Sequence, residues 1–92
     1  MSFDYIDYSA IPAHCQDSMK AYVETGRPVG GFLTAVLSND FMEAFAAADE
    51  VNSRCIRQYA LFLYNEAPPA CYGSRKTVMA WIERGGLAGK PK

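Results

Sequence analysis

The chain is expected to fold as an all-α protein, a small helical hairpin or bundle of about four helices assembled as a homo-oligomer. Three observations predict this. Residues 32–67, from Phe32 to Ala67, run 36 positions without a glycine or proline. Apolar residues recur there at helical spacing. No segment alternates apolar and polar residues as a half-buried strand would. As one helix the run would span about 54 Å, whereas a compact chain of this length has a radius of gyration of about 12 Å. The run must therefore bend, or project and pack on sister chains.

A single domain over 1–92 follows from the length. Residues 1–10 form an aromatic, acidic arm without helical periodicity, expected to lie against another element. Pro12 suits a first helical turn, and Ile11, Cys15, Met19, Tyr22 and Val23 mark one apolar face. Gly26 supplies the stop, followed by Arg27-Pro28 as an extended exit. The long run then opens at Gly30-Gly31. Leu33, Val36, Leu37, Phe41, Ala44, Phe45 and Ala48 make its first stripe, and Val51, Cys55, Ile56, Tyr59, Phe62 and Leu63 continue it. Its weakest point is Ser38-Asn39-Asp40, with Asp49-Glu50-Val51-Asn52 second. Ala46-Ala47-Ala48 offers a smooth patch to another backbone. Pro68-Pro69 ends the run. Ser74 caps a last helix carrying Val78, Trp81 and Ile82, stopped by Gly85-Gly86. Residues 87–92 read as a frayed tail. Trp81, Phe41 and Phe45 read as core.

Half of the residues are hydrophobic, too many for disorder and generous for a monomer of this size. Net charge is −1, but residues 1–50 hold eight acids against two bases, a balance of −6, and residues 51–92 hold seven bases against two acids, a balance of +5. Halves of opposite sign suit neighbours with complementary fields. They do not suit long nucleic acid, which calls for an overall basic footprint. Cys15, Cys55 and Cys71 lack CxxC spacing and read as reduced thiols of a cytoplasmic protein. Met1 to Asp7 is acidic and without an apolar core, so no signal peptide is expected. The chain has no stretch of about 18 uncharged apolar residues such as a membrane span requires.

Candidate chemistry is sparse. His14 and Cys15 are helical neighbours about 100° apart, which keeps them from meeting as a nucleophile pair. No three or four ligands converge on a metal, so neither catalysis nor a cofactor is expected. His14 is either a polar surface group or a ring that stacks on a ligand. The segment Gly26-Arg27-Pro28-Val29-Gly30-Gly31-Phe32 is a candidate anion site, because bare N–H groups at a helix start and the Arg27 guanidinium both favour phosphate. An ordinary helix connection with a solvated Arg27 is the alternative. Tyr72-Gly73-Ser74-Arg75-Lys76 repeats the recipe with two bases at a helix N-terminus, where they are electrostatically misplaced. Either an anion compensates them, or acids from the N-terminal half of a neighbour do.

The ordered pattern Ile11-Pro12, Tyr22-Val23-Glu24, Gly30-x-Phe32-Leu33, Ala35-Val36-Leu37-x-Asn39-Asp40, Ala48-Asp49-x-x-Asn52 and Gly73-Ser74 with Trp81 resembles small phage proteins of the anti-CBASS cyclic-oligonucleotide sponge family. Their helical hairpin is shared with one of the anti-Thoeris sponges. The similarity covers roughly residues 10–85. It implies a homohexamer in the cytoplasm of the infected bacterium, or of one carrying a prophage, that binds cyclic dinucleotides and withholds them from immune effectors without breaking a bond. It leaves room for cyclic trinucleotides at a separate site. Arg27 stands where the family places a phosphate-contacting base. Val29 replaces a hydroxyl residue, and Pro12 or His14 occupies the neighbourhood of a base-stacking aromatic. The alternative function is a small phage protein that inhibits a host protein through an apolar helical face.

Overall fold

The 36-residue run is not one helix. The computed structural model describes residues 5–89, and within them the run divides into α2 (Gly31–Leu37), α3 (Phe41–Ala47), α4 (Glu50–Arg54) and α5 (Ile56–Asn65). Before it lies α1 (Ala13–Thr25) and after it α6 (Arg75–Arg84), with 3-10 turns at Pro69–Cys71 and Gly86–Ala88. The described residues thus form six α-helices and no strand, more pieces than the expected hairpin of about four. The radius of gyration is 12.2 Å and the longest extent 37 Å, so the 54 Å rod is excluded and the run folds back on itself.

Both weak points named from the sequence break, and each for a local reason. Asn39 takes φ 60°, a left-handed conformation that asparagine tolerates better than most residues. Asp40 then caps α3, its carboxylate accepting the Glu43 N–H at 3.2 Å. Ala48 is extended, and the Asp49 carboxylate accepts the Asn52 N–H at 2.7 Å to start α4. Two Asp-x-x-N–H caps inside a helical pattern each accept from a backbone donor that would otherwise be orphaned and restart the helix in a new direction. A third, softer break at Cys55 (φ −112°, ψ 14°) carries no such signal.

Each restart resets the helical phase, and this overturns part of the expected stripe. Ala44 is buried, but Phe45 is 56% and Val51 51% exposed, and Phe41 is only half-buried. Phe45 is therefore not core. The core is instead Tyr22, Tyr59, Phe62, Leu37, Val36, Met19, Val23 and Trp81, with Ile11 closing one end. Tyr22 binds it together: its hydroxyl donates to the Cys71 carbonyl at 2.6 Å, and its own carbonyl accepts the Trp81 indole N–H at 3.0 Å. Burial of both polar atoms is tolerable because both are paired. Tyr59 donates to the Asn52 side-chain carbonyl at 2.8 Å, and the Phe32 ring meets Tyr59 edge-on at 5.2 Å.

The arm lies against the body over its described part. Ile6 is buried, Tyr8 packs 5.2 Å from Phe62, and the Tyr8 hydroxyl donates to Glu24. Residues 1–4 of the arm and 90–92 of the tail lie outside the described residues. The tail is otherwise not frayed: Gly86–Ala88 forms a turn packed on the end of α1, and Leu87 packs against the core. Gly26 and Gly86 make that contact, both with positive φ (72° and 69°). A Cβ on Gly86 would stand 2.5 Å from the Gly26 nitrogen and 2.7 Å from that of Thr25. Two backbones cross there at a distance only glycine allows.

Candidate functional site

The expected site residues fall into three places. Arg27, Val29 and Gly30 come together. α1 ends in a Schellman closure, with the Gly26 N–H donating to the Tyr22 carbonyl at 2.8 Å and the Arg27 N–H to the Ala21 carbonyl at 3.3 Å. That closure turns the chain back along the exposed face of α1, which the Gly26–Gly86 crossing holds in place. Between that face (Asp17, Ser18, Ala21) and the turn (Arg27, Pro28, Val29, Gly30) is a surface cavity of about 350 Å³. Val29 leans on the core, and its carbonyl accepts the Thr34 hydroxyl at 3.3 Å. Arg27 is exposed and forms no ion pair among the described residues. A second concavity of about 290 Å³ shares Asp17, Ala21 and Arg27 and adds Lys20, Glu24 and Thr25.

Gly30 and Gly31 are informative because nothing within the chain demands them. Gly30 holds φ −71°, and Gly31 is the first residue of α2; neither has positive φ. Nothing lies within 4 Å of where a Cβ would stand on either. No side chain caps α2. The backbone beside Arg27 is thus bare on its outer side.

Pro12 and His14 sit at the other end of α1. Pro12 is its N-cap residue. The His14 Nε2 meets Asp49 at 3.2 Å, linking α1 to the cap of α4. His14 shares a helical stripe with Ser18 and Ala21, at i+4 and i+7, one turn short of the cavity wall, which it does not line.

Tyr72, Gly73, Ser74 and Arg75 form the third place. Ser74 caps α6, its hydroxyl accepting the Thr77 N–H at 3.1 Å. The Gly73 N–H donates to the Leu37 carbonyl at 2.7 Å. Arg75 pairs with Asp40 at 3.1 Å, so a carboxylate of this same chain, from its acidic half, compensates the misplaced base. The Glu43 N–H, and then Arg75, hold the Asp40 carboxyl below its ordinary range. Tyr72 and Gly73 line a different, apolar groove of about 220 Å³ with Val36, Phe41, Leu63 and Tyr64 among its walls.

Asp17, Ser18 and Ala21 went unnamed in the sequence. Their signal was present as the polar stripe of α1 opposite Met19, Tyr22 and Val23. What turned that stripe into a cavity wall is the direction of the chain after Gly26.

The cavity can hold the planar guanidinium of Arg27 against a doubly accepting group such as phosphate. Asp17 faces the same space, so one copy of it carries balanced charge. No group of three or more metal-ligating side chains occurs among the described residues. The Cys71 thiol is buried, which pushes it up to about 12 and leaves it protonated and unreactive at neutral pH. No helix of the described residues is long and apolar enough to cross a membrane. No family model, curated protein or solved structure matches this chain.

Proposed function

We propose that this chain is a non-catalytic phage sponge that binds cyclic oligonucleotide immune signals, cyclic dinucleotides first and cyclic trinucleotides as a second class, and keeps them from the CBASS defence of its host. The observation that carries the reading is the cavity at Arg27, where an arginine that forms no ion pair among the described residues adjoins glycine backbone that packing leaves bare. The sequence resemblance supports the same residues. A cyclic dinucleotide presents two phosphates and two bases, and a seam between two subunits of a homo-oligomer, a hexamer by the resemblance, offers two copies of Arg27. Charge-assisted phosphate contacts contribute about 1.5–3 kcal/mol each and base stacking about 1–3 kcal/mol per base. Two of each suffice for tight binding after ordering costs.

The test is thermal shift and calorimetry with cyclic GMP–AMP, cyclic di-AMP and a cyclic trinucleotide. A ligand at 100 times its dissociation constant stabilises the fold by about 2.7 kcal/mol. Arg27→Ala is expected to abolish that shift while the circular dichroism of the free protein stays unchanged. Unchanged affinity in Arg27→Ala removes the site, and no shift with any ligand removes the function. Recovery of intact nucleotide from heat-denatured protein separates retention from hydrolysis. The second reading, inhibition of a host protein through an apolar helical face, draws on the exposed Met42, Phe45 and Tyr64; its mark is a host protein captured with no nucleotide present.

A further inference from the structure

The cavity at Arg27 holds charges of both signs that do not meet. Asp17 and Arg27 line both concavities along α1, yet neither forms an ion pair among the described residues. Asp17 also lacks the structural role that other acids of this half have. Asp40 and Asp49 cap helices, and Glu24 accepts the Tyr8 hydroxyl. The Asp17 carboxylate accepts no hydrogen bond among the described residues. It stands beyond the first turn of α1, past the stretch where the helix dipole favours an acid. Beside it Ser18 brings a hydroxyl to the same cavity, and Pro28 and Val29 bring apolar surface. We propose that Asp17 makes this cavity select guanine over adenine in the nucleotide it binds. This assignment deepens the sponge reading, on which it rests, by naming the base that the site prefers.

With Arg27 on a phosphate, the base is left to the other groups of the cavity. An ionised carboxylate is an acceptor only, with two oxygens side by side. The Watson–Crick edge of guanine presents two adjacent donors, N1–H and the 2-amino group, and then the O6 acceptor. Asp17 can accept both donors while the Ser18 hydroxyl donates to O6, so the two residues match the whole edge. Adenine presents an N1 acceptor and a single amino donor. Set against Asp17, its N1 lone pair faces a carboxylate oxygen and both stay unpaired, which is unfavourable. The acid also weakens the pull of Arg27 on any phosphate, and only a ligand that pairs with Asp17 offsets that loss. Such a repulsive element is how a site rejects the wrong partner. A bidentate base contact discriminates by about 5- to 150-fold. Asp17 is exposed, so water competes for it and the lower part of that range applies. The cavity, at about 350 Å³, has the size of a small-molecule site, about 300–1,000 Å³.

Calorimetric titration of the full chain with cyclic di-GMP, cyclic di-AMP and cyclic di-IMP tests this. The hypoxanthine of the third keeps N1–H and lacks the 2-amino group. The wild type is expected to bind cyclic di-GMP about 5-fold or more tighter than cyclic di-AMP, with cyclic di-IMP between them. Asp17→Asn places one acceptor and one donor at the same point, which can pair with either purine. It is expected to abolish the preference while circular dichroism stays unchanged, and Asp17→Ala is expected to do the same. Arg27→Lys keeps the charge but loses the planar fork, so it should weaken all three ligands alike and leave their ratio intact. A fall in affinity for all three ligands in Asp17→Asn, at an unchanged ratio, overturns the assignment, because it marks a role in folding or in phosphate binding. Equal affinity of the wild type for cyclic di-AMP and cyclic di-GMP also overturns it, and leaves the sponge reading in place. Binding of none of the three, nor of cyclic GMP–AMP, removes both.

Discussion

Replacing Gly86 by alanine tests the crossing that holds the Arg27 turn in place. Its φ of 69° lies in the left-handed region, which costs an L-residue about 1–2 kcal/mol. The new methyl would also meet main chain on three sides: the Gly26 nitrogen at 2.5 Å, the Thr25 nitrogen at 2.7 Å and the Glu24 carbonyl carbon at 2.8 Å. Backbone cannot rotate away as a side chain can, so an overpacking cost of about 1–3 kcal/mol adds to the strain. Together these reach about 2–5 kcal/mol, a large part of the roughly 5–15 kcal/mol that holds a domain folded. Urea denaturation followed by circular dichroism measures it, and a melting temperature lowered by about 10 °C or more is expected for a chain of this length. Gly31→Ala is the matched control. It has no neighbour within 4 Å and no positive φ, so loss of unfolded-state freedom should leave it neutral or up to about 1 kcal/mol more stable. A Gly86→Ala protein within about 0.5 kcal/mol of wild type would show that the two backbones do not approach as described.

Two further outcomes follow from the polar network and the caps. Tyr59→Phe leaves the buried Asn52 carbonyl oxygen with only the Cys15 thiol at 3.8 Å and should cost about 1–3 kcal/mol in urea, whereas Tyr5→Phe, 71% exposed, should change nothing beyond about 0.5 kcal/mol; equal effects would remove the network. The capping carboxyls of Asp40 and Asp49 sit below their usual value of 3.8, lowered foremost by the N–H groups of Glu43 and Asn52. An acid with a depressed folded-state pKa stabilises the fold above its unfolded value and loses that contribution as pH falls through the folded one. The urea midpoint should therefore drop as pH is taken from about 5 to below 3.8, and Asp40→Asn with Asp49→Asn, which keep a capping oxygen, should flatten that limb; a flat wild-type profile refutes the role of the caps.

The local signals were strong where one residue type settles one backbone event. Pro12 and Gly26 bound α1, Ser74 and Gly85 bound α6, and Asp40 and Asp49 mark restarts inside a run that otherwise reads as continuous helix. The cavity was half legible. Arg27 and the glycines stood out because they are chemically unusual in an acidic half, while Asp17 and Ser18 looked like any solvated helix face. Phe45 was misread for the same reason that Asp40 was noticed: a cap says that a helix restarts, but not the angle at which it leaves.

The sequence by itself determined an all-helical chain, two of the three breaks in its long run and most of its apolar inventory, because caps, prolines and periodicity act over a few neighbouring residues. Only the tertiary structure decided that the turn after α1 folds over the Asp17 stripe, that Arg75 finds Asp40, and that Gly26 meets Gly86. Each of these joins residues from elements whose crossing angles depend on the packing of the whole core, and no local pattern encodes such an angle.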